Sequence, residues 1–245
     1  MKTPIALQLY SVREDLAQDF EGTLEKIKGM GYTAVETGQF AGDARMQTEN
    51  FDKLGLEVVA AHVKPPLGDD KESTLDFMKA LGSKRVVVPW LDPQQYFQSV
   101  EGVLQAADLL NEAALNSWEE GFSFYYHNHD FEFNKLDGRT AYDLLLEKLD
   151  PRIQLEIDTY WVQTAGVDVV ELLRRLGSRA SLLHIKDGPL QREEAMVAIG
   201  NGKMDFRKVL EGGGANAEWL IIELDRCAGN LMDAVRRSLP YLSSL

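Results

Sequence analysis

The sequence predicts an α/β fold in which eight parallel strands close into a barrel covered by eight helices. Short apolar runs alternate with amphipathic helical segments along the whole chain, at about thirty residues per unit. These runs are continuous rather than alternating, which is typical of strands buried on both faces. The turn after the first run, Tyr10-Ser11-Val12-Arg13, lacks the glycine-rich pattern that an open doubly wound sheet more often carries. We therefore predict one (β/α)₈ TIM-barrel domain over residues 1–245.

The first four units are predicted from apolar runs, each followed by a helical segment. The predicted strands are residues 5–10, 33–36, 56–62 and 85–89. In the first helix, Phe20, Leu24, Ile27 and Met30 lie at spacings that mark one helical face, and Gly31 ends the helix. The predicted helices are residues 14–30, a segment that ends near residue 54, residues 71–81 and residues 93–116.

The last four units repeat this scheme. The predicted strands are residues 122–127, 153–158, 180–184 and 219–223. The predicted helices are residues 140–149, 167–176, 205–210 and 231–242. A long connection containing Gly200-Asn201-Gly202 follows the seventh strand. Phosphate-binding backbone is often found at this position in such barrels, but a plain turn explains so short a motif better.

The composition restricts the class of function. A net charge of −13, from 26 basic and 39 acidic residues, disfavours nucleic-acid binding, which depends on neutralising phosphates with Lys and Arg. No apolar run is long enough for a membrane span, and residues 1–4 lack the apolar segment of a signal peptide. The single cysteine, Cys227, suits a reducing compartment. We expect a cytoplasmic protein that binds neither membranes nor nucleic acid.

Side chains capable of binding metals or transferring protons stand where the predicted strands end. They are Glu36, His62, His127, His129, Asp158, His184, Lys186 and Glu223. Barrel enzymes carry their active sites at the carboxyl ends of the strands, so these side chains should converge there. A mixed carboxylate and imidazole set suits Mn²⁺, Zn²⁺ or Co²⁺, with Mg²⁺ as a further candidate.

Asp158, His184 and Glu223 end three neighbouring strands and can therefore share one ion while leaving positions open for substrate. The alternative is that each makes a separate buried hydrogen bond or ion pair. The fourth ligand is expected from His127, His129 or Glu132, unless this stretch is only a surface loop. Lys186 either steadies a developing enolate or pairs with Asp158 or Asp187.

Several of these residues belong to stretches that resemble the sugar phosphate isomerase/epimerase family of xylose isomerase-like barrels. The stretches are residues 7–11, His127-Asn128-His129-Asp130-Phe131-Glu132-Phe133, Glu156-Ile157-Asp158-Thr159, His184-Ile185-Lys186-Asp187, residues 200–206 and Ile222-Glu223. The resemblance covers essentially the whole chain and implies a barrel with a divalent ion. It implies Asp158, His184 and Glu223 as ligands. The family's ketose epimerases carry a further Glu where this chain has His127, so we expect Glu132, rather than His127, to complete the shell.

The resemblance implies a sugar or cyclitol isomerase or epimerase that removes a proton next to a carbonyl, with the ion stabilising the enediolate. Glu223 or His129 would act as base, and Glu36, His62, Trp90 and His127 would line the sugar pocket. Expulsion of a β-substituent would instead make the protein a lyase or dehydratase. A non-catalytic sugar-binding barrel is a further alternative, whereas four histidines and the acidic charge disfavour an endonuclease IV-like nuclease. Members of this superfamily often form homo-oligomers.

Overall fold

The computed structural model describes residues 2–245 and contains a closed barrel of eight parallel strands, which confirms the predicted fold. In chain order the barrel strands are Ile5–Gln8, Ala34–Gly38, Glu57–His62, Arg85–Val88, Ser123–His127, Gln154–Asp158, Ala180–Ile185 and Trp219–Ile222. The first strand pairs in parallel with the eighth, and this pairing closes the barrel. A short antiparallel hairpin, Lys135–Leu136 with Arg139–Thr140, lies outside the barrel and was not predicted.

The helices cover the barrel, and two of the predicted ones are interrupted. They are α1 (Arg13–Gln18), α2 (Phe20–Gly29), α3 (Ala44–Leu54), α4 (Lys71–Leu81), α5 (Pro93–Tyr96), α6 (Val100–Glu119), α7 (Ala141–Lys148), α8 (Thr159–Thr164), α9 (Val169–Leu176), α10 (Phe206–Gly212) and α11 (Leu231–Ser244). Asp19 breaks the predicted helix 14–30 because its carboxylate accepts from Gly22 N and caps α2. Ser99 breaks the predicted helix 93–116 in the same way by capping α6. None of the helices within residues 2–245 has the length and apolarity needed to cross a membrane.

The interior of the barrel is divided into an apolar layer and a polar layer. The apolar layer consists of Ala6, Ala34, Val59, Ala60, Val87, Tyr125, Leu182 and Ile221. Side chains two residues apart on a strand point the same way. Six polar residues therefore lie above this layer, each two positions after one of its members: Gln8, Glu36, His62, His127, His184 and Glu223. The strand register thus directs widely separated polar residues to the carboxyl end of the barrel.

The loop after the seventh strand is organised by Asp187. Its carboxylate accepts hydrogen bonds from the backbone N–H groups of Gly188, Gly200, Gly202 and Met204, at 2.9 to 3.1 Å. A Cβ atom at Gly202 would lie 2.1 Å from Asp187 Oδ1, so only glycine fits there. The backbone donors of this loop are therefore already bound to a side chain, which supports the interpretation of Gly200-Asn201-Gly202 as a turn.

Replacing Asp187 with alanine is expected to lower the free energy of unfolding by about 2 kcal/mol, because four backbone N–H groups, two of them buried, lose a charged acceptor. The control is Asp205→Ala, which removes a single helix cap at Lys208 N and should cost about 1 kcal/mol. Urea denaturation of both variants measures the difference. A smaller loss for Asp187→Ala than for Asp205→Ala would contradict this account of the loop.

Candidate active site and metal centre

The carboxyl ends of the strands open into a cavity of about 590 Å³. Much of its wall is apolar and is formed by Tyr10, Phe40, Val63, Pro65, Pro89, Trp90 and Trp161. Its polar lining consists of Gln39, His62, Lys64, His127, His129, Glu223 and Asp225. The size suits a small organic ligand, and apolar walls with few convergent polar groups are typical of such sites. The cavity brings together five of the site residues named from the sequence: His62, Trp90, His127, His129 and Glu223.

Four buried residues at the carboxyl end of the barrel form what we call the outer group: His127, Asp158, His184 and Glu223. Of these, His127 and Glu223 line the cavity. One ligand atom from each lies within 4.8 Å of the others. His184 Nδ1 is 2.8 Å from Glu223 Oε2, and His127 Nε2 is 3.8 Å from Asp158 Oδ2. Asp158, His184 and Glu223 lie within one residue of the carboxyl ends of three neighbouring strands, so their convergence follows directly from the barrel.

A second set, the inner group, lies deeper and shares two histidines with the outer group. It consists of His62, His127, Glu156 and His184, also with ligand atoms within 4.8 Å of one another. His127 and His184 face the inner group through the ring nitrogen opposite the one that faces the outer group. These two histidines therefore connect the two groups.

The outer group fits a divalent ion. Asp158 Oδ2 is buried, and within residues 2–245 no hydrogen bond of normal geometry reaches it. Two imidazole nitrogens and two carboxylate oxygens are the mixed donor set that Zn²⁺, Mn²⁺ and Co²⁺ accept. An ion at this position would also supply positive charge among several buried carboxylates.

The buried ammonium of Lys186 is held by three carboxylates. Its Nζ lies 3.0 Å from Asp158 Oδ2, 2.6 Å from Glu223 Oε2 and 2.9 Å from Asp225 Oδ2. Burial would lower the pKa of Lys186, but these carboxylates outweigh it and raise the pKa well above its usual range. Of the two pairings considered from the sequence, Lys186 makes the one with Asp158, whereas Asp187 binds the loop backbone.

The histidines at the cavity differ in charge. Burial would lower the pKa of His62, but Glu36 and Glu156 outweigh it and raise the pKa to about 10, so this ring is an imidazolium at neutral pH. Burial lowers the pKa of His127 and of His129 well below the usual range, and neighbouring cations add to the effect. A charged and a neutral imidazole, His62 and His129, therefore face the same cavity.

The structure does not bring Glu132 into either group. Its Oε1 accepts from the Tyr126 hydroxyl at 2.8 Å, and its Oε2 accepts from His129 N at 2.9 Å. Both oxygens are therefore used to fix the loop after the fifth strand. Of the other two candidates for the fourth ligand, His127 rather than His129 lies in the outer group.

The Glu132→Gln variant is expected to have a flatter pH profile of stability than the parent protein. Burial raises the pKa of Glu132 from 4.5 to about 8, against the opposing hydrogen bonds from Tyr126 and His129 N. The stabilisation from the protonated form is complete below about pH 4.5 and is lost as the pH rises toward 8, with a slope of up to about 1.4 kcal/mol per pH unit. Urea denaturation at several pH values between 5 and 8 measures the slope. Parallel profiles for the two proteins would contradict the raised pKa.

Glu36 lies below the cavity rather than in its lining. It is fully buried, accepts from Gln8 Nε2 at 2.7 Å and lies 2.6 Å from His184 Nε2. The second strand directs this side chain into the barrel, where its carboxylate faces Nε2 of His184 and of His62. The structure therefore places Glu36 against His184 and outside the cavity lining, and its contact with substrate stays a prediction.

Sequence reasoning missed Glu156 as a site residue. It lies two positions before Asp158 and therefore points to the same side of the sixth strand. A charged residue inside an otherwise apolar strand was a usable signal, because an unpaired charge is rarely buried. Asp225 and the aromatic residue Phe40 were also missed, since they stand beyond the strand ends.

Comparison of the sequence with known proteins identifies relatives of this chain. The family model described as a xylose isomerase-like TIM barrel matches residues 24–244. An inosose dehydratase from Mesomycoplasma hyopneumoniae strain J is 28% identical, with 92% of this chain and 88% of that protein covered. For the inosose dehydratase of strain 7448, also 28% identical, the match spans 69% of this chain but only 62% of that protein.

Solved structures with the same fold include a sugar phosphate isomerase/epimerase from Parabacteroides distasonis, with a TM-score of 0.84 and 24% identity. That comparison covers 100% of this chain and 99% of the other. The IOLI protein, solved with a zinc atom, has a TM-score of 0.70 at 16% identity over 98% of this chain and 97% of its own. The match to the family model spans most of the sequence, and the chain belongs to the family of xylose isomerase-like TIM barrels.

Proposed function

We propose that the protein is a metal-dependent dehydratase that removes water from a keto-cyclitol or a related keto-sugar. The observation that carries the proposal is the similarity to an inosose dehydratase over 92% of the chain. The acid, the base and the candidate ion site that such an elimination requires lie around one cavity. Isomerase or epimerase activity, expected from the sequence, begins with the same proton removal and is the second candidate.

The ion would be held by His127, Asp158, His184 and Glu223. When bound there, a divalent ion polarises a substrate carbonyl oxygen and orients a neighbouring hydroxyl group. Glu223 keeps its charge because Lys186 and His184 outweigh the effect of burial and hold its pKa well below the usual range. Lys186 does not line the cavity and acts by balancing the charge of Asp158 and Glu223, rather than by contact with an enolate.

His129 would remove the proton from the carbon next to the carbonyl. Its neutral ring has a free nitrogen lone pair, and its Nδ1 is buried without a hydrogen-bond partner in residues 2–245. The ring is stacked on Phe131 with centroids 5.3 Å apart, so its direction is fixed before substrate arrives. A positioned neutral imidazole can accept a proton at neutral pH, and polarisation of the carbonyl by an ion would offset the weak basicity that burial imposes on His129.

His62 would donate a proton to the departing hydroxyl group. It lines the cavity and is held as an imidazolium by Glu36 and Glu156. The proton taken by His129 and the proton given by His62 balance the loss of one water molecule. Trp90 and Trp161 form apolar walls against which the C–H faces of a ring can pack.

The test is elemental analysis of the purified protein, followed by incubation in heavy water with a panel of ketoses, aldoses and keto-inositols. We expect bound divalent metal and a product that has lost one water molecule. Deuterium incorporation without loss of water would replace the dehydratase by an isomerase or epimerase. Bound metal with neither exchange nor product on any compound would favour the non-catalytic binding barrel.

A further inference from the structure

One carboxylate oxygen in the barrel is surrounded by three imidazole rings. Glu156 Oε2 is hydrogen-bonded to His62 Nε2 at 2.8 Å and lies 2.9 Å from His127 Nδ1, a close contact of charge with ring nitrogen that lacks the alignment of a hydrogen bond. The same oxygen is 3.2 Å from His184 Nε2. Glu156 is fully buried, and its other oxygen has no hydrogen-bond partner in the described part of the chain. The charge of this carboxylate is therefore directed entirely at the histidines.

A carboxylate accepts protons and repels lone pairs, so each ring nitrogen that faces Glu156 is favoured in its N–H form. The opposite nitrogens then face outward without a proton of their own when the rings are neutral. Those outward atoms are His127 Nε2 and His184 Nδ1, which are the atoms nearest Asp158 and Glu223. His184 Nδ1 lies 2.8 Å from Glu223 Oε2, so without an ion both nitrogens of His184 face carboxylates. An ion bound at the outer group would take the place of the proton on Nδ1.

Glu36 supports the same arrangement from the side. Its Oε2 lies 2.6 Å from His184 Nε2 and 3.3 Å from His62 Nε2. Gln8 Nε2 donates to this oxygen at 2.7 Å and fixes its position. Metal-binding histidines commonly donate their second ring N–H to such a carboxylate, which orients the ring and strengthens the ligand.

We propose that Glu156 is a positioning residue that sets which nitrogens of His127 and His184 face the ion. It holds His127 with the proton on Nδ1 and, together with Glu36, holds His184 with the proton on Nε2. This inference rests on the proposed metal centre and is independent of the reaction catalysed there. It excludes a role of Glu156 as a ligand of a second ion in the inner group.

The first test is calorimetric titration of the metal-free protein with Zn²⁺. We expect the parent protein to bind one ion and the Glu156→Gln variant to bind it about 10- to 100-fold more weakly. The matched control is Glu132→Gln, which alters a buried glutamate at the same end of the barrel that contacts none of the proposed ligands' side chains; its affinity should be unchanged. Circular dichroism and thermal unfolding show whether each variant is folded.

The second test needs no variant. In long-range ¹H–¹⁵N spectra of the zinc-loaded parent protein, we expect His127 to be bound through Nε2 and His184 through Nδ1. Binding of His127 through Nδ1, or two ions per chain, would overturn the inference and leave the metal centre standing. One bound ion with unchanged affinity in a folded Glu156→Gln protein would do the same, whereas a parent protein that binds no ion removes both proposals.

Discussion

The Glu223→Gln protein is expected to fold like the parent and to lose turnover by a factor of about 10² to 10⁴. Oxygen Oε2 of Glu223 lies 2.8 Å from His184 Nδ1 and 2.6 Å from Lys186 Nζ, at the polar end of the cavity. Glutamine keeps the shape of the side chain but removes its charge. The proposed ion would then lose an anionic ligand, and Lys186 would lose one of its three carboxylate partners.

The measurement is the initial rate with whichever compound of the panel is turned over, at a saturating concentration of metal. The matched control is Glu218→Gln, which alters a glutamate just before the same strand at the opposite end of the barrel. Glu218 is paired with Arg85 and its side chain is 55% exposed, so its loss should leave the rate unchanged. Parental activity in Glu223→Gln would remove Glu223 from the proposed centre.

The barrel strands could be predicted because their signal is local and redundant. A buried parallel strand requires an apolar run, and each run is followed by a helical segment of the length needed for a crossover. The helix interruptions at Asp19 and Ser99 were missed because periodicity continues across them. In both places a short polar side chain interrupts the predicted helix and caps the helix that follows. The spacing of apolar residues carries no signal for such a cap.

The part of the candidate site that lies on or directly after the strands could be predicted from the sequence. Asp158, His184 and Glu223 converge because the register of three neighbouring strands places them side by side. Glu132 stands in a 3₁₀ turn after a strand, where alternation no longer determines direction, and local bonds to Tyr126 and His129 turn it away. Glu156 was missed because only the last residue of each strand was considered, although the residue two positions earlier faces the same interior.

The buried position of Lys186 suggests how the centre remains folded before an ion binds. The side chains of Asp158 and Glu223 are almost completely buried, and like charges at such distances repel strongly where water is excluded. The ammonium of Lys186 offsets this repulsion in the metal-free protein. An ion at the proposed centre would stabilise the same carboxylates as Lys186, so the effects of the two on stability should not be additive.

The Lys186→Met variant is accordingly expected to lower the free energy of unfolding of the metal-free protein by about 3–5 kcal/mol, because three carboxylates lose their buried partner. Saturating Zn²⁺ or Mn²⁺ should recover part of this loss, since the ion restores positive charge beside Asp158 and Glu223. Urea denaturation with a chelator and with metal measures both quantities. The control is Lys79→Met, which removes an exposed ion pair with Glu120 and should cost less than about 1 kcal/mol in either condition. A loss for Lys186→Met as small as that of the control, or one that metal leaves unchanged, would show that the ammonium does not balance the charge of the proposed centre.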